Sequence, residues 1–202
     1  MLSVAIFVSG RGSNLRAVLE SPKLNNLIKV KAVVGDKSYC PAFDIAKKFS
    51  IPVYSVGKKE GFVSFEHLEI VFKESGINLI VLAGFLKLIP EDFVKTFLNR
   101  IINIHPALLP SFGGSGMYGM NVHQAVFESS AQVSGVSVHF VNETYDTGKI
   151  IAQRCVDISD VKSPEEIAQR VLSIEHKLLP DVIEKIALGK VFVEGLRVRV
   201  ET

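Results

Sequence analysis

Short apolar runs, rich in β-branched residues, alternate along the chain with segments whose apolar positions recur every three or four residues. That alternation predicts a parallel α/β sheet. Val4–Val8, Val30–Val34, Val53–Ser55, Leu79–Ala83 and Ile101–Ile104 read as strands, apolar on both sides as expected where helices cover both faces. Helices are predicted between them, over Asn14–Leu19, Ala42–Phe49, Phe62–Ser75 and, after Pro90, Glu91–Phe97. The pattern then changes. Val133–Val141 and Lys149–Val156 read as two strands around the turn-forming loop Asn142–Gly148, so the second half is expected to be mixed or antiparallel. A long helix follows, opened by a capping box of Ser163 and Glu166 with Pro164 at the first helical position. Its apolar stripe is Ile167, Val171, Ile174, Leu178 and Val182, and Gly189 ends it. Val191–Val200 alternates around Gly195 as a terminal hairpin, with Arg197 and Arg199 as solvent-face charges. No repeat or linker interrupts the chain, which is expected to form one domain over residues 1–202.

Composition narrows the class. The chain has 202 residues, 48% apolar and 22% charged, which is ordinary globular usage. A net charge of +2 is too small for a surface that wraps nucleic acid, so no such partner is expected. The longest uncharged apolar run, Leu79–Leu86, falls far short of the ~18 residues that would suggest a membrane span. The apolar start at Met1–Val8 lacks a basic leader and runs into Gly10-Arg11-Gly12, so it reads as a buried strand and not a signal peptide. Cys40 and Cys155 are too few for a disulfide framework and fit a reducing, cytoplasmic setting.

Candidate chemistry begins at the first turn, Ser9-Gly10-Arg11-Gly12-Ser13-Asn14. Glycines let the backbone approach a ligand closely, and the free N–H groups of a first helical turn favour an anion. A capped strand-to-helix turn is the plainer alternative. The G-x-x-x-x-G-K-[ST] phosphate loop is absent. A dinucleotide site wants a third glycine where Leu15 stands, although Asp36 sits where a ribose-binding acid belongs. A phosphate monoester suits the shorter cradle better.

Ile101-Ile102-Asn103-Ile104-His105-Pro106 is the most informative stretch. Alternation points Asn103 and His105 to one face, and Pro106 ends the strand, placing the pair where open α/β sheets bind ligands. An amide donor can hold a developing oxyanion and an imidazole can carry a proton, which together suit acyl transfer. Paired structural polar groups are the alternative. Asp146, in the glycine-containing loop, is a third candidate because a carboxylate near His105 favours the imidazolium; a turn residue is its plainer reading. Glu175 interrupts the apolar line Ala168, Leu172, Leu179, and a carboxylate there wants a partner.

These segments, together with Leu82-Ala83-Gly84-Phe85-Leu86-Lys87-Leu88-Ile89, Asn103-Ile104-His105-Pro106-Ala107-Leu108-Leu109-Pro110, Val138-His139-Phe140-Val141 and Ile150-Ile151-Ala152-Gln153, resemble the folate-dependent formyltransferases. The G-x-G-S-N-L start and the short chain are most similar to the glycinamide ribonucleotide branch. The resemblance implies a Rossmann-like fold with a phosphate-binding half of about 1–100 and a folate-binding, catalytic half of about 101–202. It implies transfer of formyl from 10-formyltetrahydrofolate to the amine of 5-phosphoribosyl-glycinamide, in purine synthesis, by a monomer or homodimer without a metal. By the same resemblance Asn103, His105 and Asp146 are the catalytic trio. Gly12, Ser13 and Asn14 bind phosphate, and Glu175 holds the ribose. Leu86, Lys87, Leu88, Ile89, Asn142, Glu143, Thr144, Tyr145 and Asp146, with Asn103, line the folate site, and Lys59 matches a basic residue near the folate tail.

One departure from the family pattern is the glycine-rich stretch Gly113–Gly119, longer than usual, with Asn121 in place of the first histidine of a His-x-His pair and His123 retained as the second. Four glycines in seven residues would permit a mobile lid. His67 and His139 read as structural, and His176 as a neighbour of Glu175. A formyltetrahydrofolate hydrolase and a methionyl-tRNA formyltransferase share the trio and are the rival enzymes. They are expected to carry an extra amino-terminal or carboxyl-terminal domain respectively. A non-catalytic binding module is the rival of another class.

Overall fold

The computed structural model describes residues 1–201, so the last residue of the expected domain, Thr202, lies outside the described residues. Nine strands and six α-helices follow in chain order: β1 (Leu2–Val8), α1 (Ser13–Leu19), β2 (Ile28–Gly35), α2 (Ala42–Lys48), β3 (Val53–Ser55), α3 (Phe65–Glu74), β4 (Leu79–Leu82), α4 (Glu91–Thr96), β5 (Ile101–His105), α5 (Met120–Glu128), β6 (Val133–Phe140), β7 (Ile150–Asp157), α6 (Pro164–Ala187), β8 (Val191–Glu194) and β9 (Arg197–Val200), among the described residues. Seven of the strands form one sheet in the order β3-β2-β1-β4-β5-β6-β7. Pairings are parallel from β3 through β5 and antiparallel between β5, β6 and β7, as the change of pattern predicts. β8 and β9 pair separately as the terminal hairpin.

Apolar residues on both sides of the strands feed two cores. Val4, Ile6, Val33, Val81 and Ile102 face one, closed by α1, α2, α5 and α6. Phe7, Val34, Ile80 and Ile101 face the other, closed by α3 and α4. Phe rings fill the second core, with Phe7 edge-on to Phe85 at 5.2 Å and Phe93 against Phe97 at 4.8 Å. Such contacts add about 0.5–1.5 kcal/mol per pair beyond area burial.

Two helices differ from the sequence pattern. α3 starts at Phe65 and not Phe62, because the Ser64 hydroxyl accepts from the His67 N–H and caps the helix there. α5 was not among the predicted helices. Its buried apolar residues are only Val122 and Val126, around a buried His123, and no side-chain cap marks its start after Gly119. In α6 the capping box forms with one change. Ser163 accepts from Glu166, but the Glu166 carboxylate reaches back to the N–H of Lys162.

β1 lies between β2 and β4, so the chain leaves it in opposite directions and opens a crevice at the strands' carboxyl ends. Ser9 laces that crevice: its N–H donates to Gly84 and its hydroxyl accepts from Leu86. No helix among the described residues is long and apolar enough to cross a membrane.

Candidate active site

A cavity of about 380 Å³ opens at this crevice, between the ends of β4 and β5, the glycine-rich loop and the loop after β6. Asn103, His105 and Asp146 form one contacting group on its lining, and Asn14 and Glu175 another. Leu86, Lys87, Leu88 and Ile89 form one wall, and Asn142, Thr144 and Tyr145 another. Gly12, Ser13, Lys59 and Glu143 are not on its wall. Gly12 and Ser13 form the turn into α1 just outside it. Gly12 is left-handed (φ 76°), and a Cβ there would lie 2.6 Å from Ala42 Cβ, so both conformation and the approach of α2 call for glycine. Lys59 and Glu143 are exposed in separate loops.

β5 holds Asn103 and His105 on one face, as alternation predicts. Asp146 arrives because β6 runs back beside β5, with His139 opposite Asn103 and Ser137 opposite His105. The β6–β7 loop therefore folds over the end of β5. Asp146 sits there in a left-handed conformation (φ 56°), and Phe112, across from it, has φ 55°. Non-glycine residues held at positive φ store strain that surrounding contacts must hold.

Those contacts are hydrogen bonds to the trio. The His105 Nε2 lies 2.8 Å from the Phe112 carbonyl, which only accepts, so Nε2 carries a proton and Nδ1 faces Asp146 Oδ2 at 3.6 Å. The Gly114 N–H donates to the same Oδ2 at 2.9 Å. Asn103 Nδ2 donates to Asp146 Oδ1 at 3.3 Å and approaches His139 Nε2 at 3.2 Å. His139 Nδ1 lies 2.8 Å from the Phe140 carbonyl and must donate to it, so in the neutral ring Nε2 accepts from Asn103.

Two expectations change here. His139 is not merely structural, since it orients the Asn103 amide and stands 3.5 Å from Asp146. The signal was its place on the same face of β6 as Ser137, but only the antiparallel register turns that into contact with the trio. The Asn103 amide is also not a free oxyanion donor in this state: both hydrogens are directed at protein acceptors. Distances of 3.2 and 3.3 Å are at the long end for such bonds, making them the ones a ligand oxygen can displace.

Burial sets the protonation states. Desolvation lowers the His105 pKa, and the attraction of Asp146 and the Phe112 carbonyl only partly opposes it, so the ring is neutral at pH 7. Burial pushes the Asp146 carboxyl up, but His139, His105 and the Gly114 N–H together hold it below the ordinary aspartate range. Glu175 goes the other way. Burial raises it to about 7 against the pull of its one donor, Asn14 Nδ2 at 3.0 Å. The partner wanted by a carboxylate in the apolar line of α6 is therefore Asn14. Asn14 Oδ1 and His123 Nδ1 are buried without a protein partner and line the same cavity. Burial, then His105, lowers the His123 pKa. No group of three or more His, Cys, Asp or Glu side chains among the described residues is arranged to hold a metal ion.

Comparison with known proteins follows the same lines. The formyl transferase family profile matches residues 2–183. A chloroplastic phosphoribosylglycinamide formyltransferase of Arabidopsis thaliana is 45% identical over 185 residues, covering 89% of this chain and 63% of its own length. The trifunctional purine biosynthetic protein adenosine-3 of Homo sapiens is 34% identical over 192 residues, covering 93% of this chain and 18% of its own. The chain thus spans under two thirds of these relatives. Among solved structures, a phosphoribosylglycinamide formyltransferase from Anaplasma phagocytophilum superposes with a TM-score of 0.89 at 31% identity, covering 100% of this chain and 95% of that one.

Proposed function

The chain belongs to the formyl transferase family, and on that premise we propose that it transfers the formyl group of 10-formyltetrahydrofolate to the amine of 5-phosphoribosyl-glycinamide. The observation that carries this reading is the convergence of Asn103, His105 and Asp146 in one cavity that Asn14 and Glu175 also line. The walls formed by Leu86–Ile89 and by Asn142, Thr144 and Tyr145 then take the folate. Gly12 and Ser13, with Asn14 on the cavity lining, take the phosphate, and Lys59 and Glu143 lie at the outer edge of the folate site. The unpartnered Asn14 Oδ1, beside Glu175, suits a hydroxyl donor of a ribose.

In this reading the amine attacks the formyl carbon while both substrates are held in line, a large part of the rate gain. The formyl oxygen gains negative charge and displaces one of the long bonds of the Asn103 amide, which then holds the oxyanion. His105 enters neutral. As the attacking nitrogen becomes cationic, its proton can pass to the imidazole at Nδ1, beside Asp146, and the carboxylate offsets the burial that otherwise disfavours the imidazolium. The proton ends on the folate nitrogen as the intermediate collapses. We include in the proposal a cytoplasmic setting, supported by the two free cysteines Cys40 and Cys155.

The test is a formyl-transfer assay on the purified protein, with 10-formyltetrahydrofolate and with or without 5-phosphoribosyl-glycinamide. Folate release only with the acceptor supports the transferase. Release without it makes the protein a hydrolase, and no release in either case overturns the proposal.

A further inference from the structure

The segment that carries the partners of the catalytic side chains has no regular structure of its own. Residues 106–119 form neither helix nor strand. Yet the Phe112 carbonyl meets His105 and the Gly114 N–H meets Asp146. Something outside the segment must hold these backbone atoms in place, and the sheet supplies it.

His105 on β5, Ser137 on β6 and Gln153 on β7 are directly opposite one another across three antiparallel strands, so their side chains share one face. Ser137 is fully buried. Its hydroxyl donates to the Ala107 carbonyl at 2.7 Å and accepts from the Leu109 N–H at 3.0 Å. Gln153 Nε2 donates to the Leu109 carbonyl at 2.9 Å and to the Ser137 hydroxyl at 2.8 Å. The hydroxyl is thereby saturated, with one donor and two acceptor directions used. Leu109 is pinned by both its backbone groups. The pin reaches the catalytic loop by packing. A Cβ on Gly113 would lie 2.5 Å from Leu109 Cδ2 and 3.1 Å from Asp146 Cβ, so the loop rests directly on the Leu109 side chain. Gly113 is flanked by the two residues whose backbone atoms bind His105 and Asp146.

We infer that Ser137 and Gln153 are positioning residues for catalysis. By clamping Ala107 and Leu109 they set the Phe112 carbonyl against His105 Nε2, which fixes the proton on Nε2 and leaves Nδ1 as the proton acceptor facing Asp146. This inference rests on the proposed formyl transfer for its kinetic consequence, but its structural consequence does not.

The test uses Gln153→Met, which keeps length and removes both donated bonds, and Ser137→Ala. Because Gln153 is only half-buried, its variant keeps the question answerable if Ser137→Ala does not fold. Histidine ring ¹⁵N NMR reads the tautomer, with the His105 signals identified by their loss in His105→Gln. The parent should show His105 protonated on Nε2, and the variants a mixture of tautomers. In the transfer assay kcat should fall about 10- to 100-fold, with KM for both substrates within about twofold, since misplacement of about 1 Å costs on that order. The acid limb of the pH–rate profile should move with it. A folded variant that keeps the parent's Nε2–H signal, or that keeps the parent's kcat where the parent transfers formyl, overturns the inference. Altered tautomers in a protein that transfers no formyl leave the clamp standing and remove the proposed reaction instead.

Discussion

Glu175 and Asp146 line the same cavity, and both are largely withdrawn from water. Desolvation is the largest influence on each, and it pushes each carboxyl toward the neutral form. The outcome depends on how many partners answer it. Glu175 has one amide donor, and burial wins, raising it to about 7. Asp146 accepts from a backbone N–H and an amide, and it attracts the positive charge that the two imidazoles beside it would carry on protonation; together these win, holding it low. One group on the cavity lining is thus fitted to support a cation and the other to share hydrogens with a neutral, hydroxyl-bearing ligand. Two carboxyls whose surroundings drive them apart mark separate duties within one site.

The harshest way to break this contrast is Asp146→Asn. The Gly114 N–H requires an acceptor at one position, which turns the new NH₂ toward the NH₂ of Asn103, donor against donor. The reverse orientation sets the NH₂ against the Gly114 N–H and beside His105 Nδ1, where it blocks the proton acceptor. Either way the support for an imidazolium is gone. We expect kcat for formyl transfer to fall by about 10²–10⁴ with KM little changed. Steady-state kinetics at saturating acceptor checks this, and activity near that of the parent would remove the carboxylate from the mechanism.

Glu175→Gln sharpens the same contrast through stability. Between pH 4.5 and about 7 the folded protein holds a proton on Glu175 that the unfolded chain has released. Its contribution is therefore fully present below pH 4.5 and is lost as pH rises through 7. That interval corresponds to about 3 kcal/mol. His105, with its pKa lowered, acts oppositely, its contribution being lost as pH falls below 6.5. Asp146 loses its own only in stronger acid, below 3.8. The difference between variant and parent isolates Glu175. In urea unfolding, Glu175→Gln should gain about 3 kcal/mol relative to the parent on going from pH 4.5 to pH 8. Parallel pH profiles would show that Glu175 is ionised in the folded protein at neutral pH.

The two groups also differ in how far they could be read from sequence. Asn103 and His105 were legible as a pair because strand alternation is local and Pro106 marks the strand's end. Glu175 was legible as a residue in want of a partner, since the helical period of α6 is long and regular. That the partner is Asn14, 161 residues away, is a fact of how α6 packs on α1. Asp146 and His139 lay beyond periodicity altogether. Their approach depends on the antiparallel register of β6 on β5, which neither strand encodes alone. α5 was hidden for a different reason: glycines before it and only two buried aliphatic residues within it leave little periodic signal. The occupied state of the Asn103 amide follows from the His139 tautomer, a matter of hydrogen positions and not of residue types.

The smallest effect separates burial from hydrogen bonding at Glu175. Asn14→Ala removes the one donor and leaves the apolar surroundings, so the carboxyl should rise further above about 7. A single hydrogen bond of this kind is worth about 1 kcal/mol, a factor of about five in proton affinity. That is well below the effect of burial, which already overrides the bond. Carboxyl ¹³C NMR titration of parent and variant reads the difference, with the Glu175 signal identified by its loss in Glu175→Gln. An upward move of that size supports burial as the main influence. A downward move would mean that the shortened side chain admits water to the carboxyl. Asn14 would then act in this group mainly by filling space, and the neutrality of Glu175 would rest on exclusion of solvent by a residue two positions beyond the Gly12 turn.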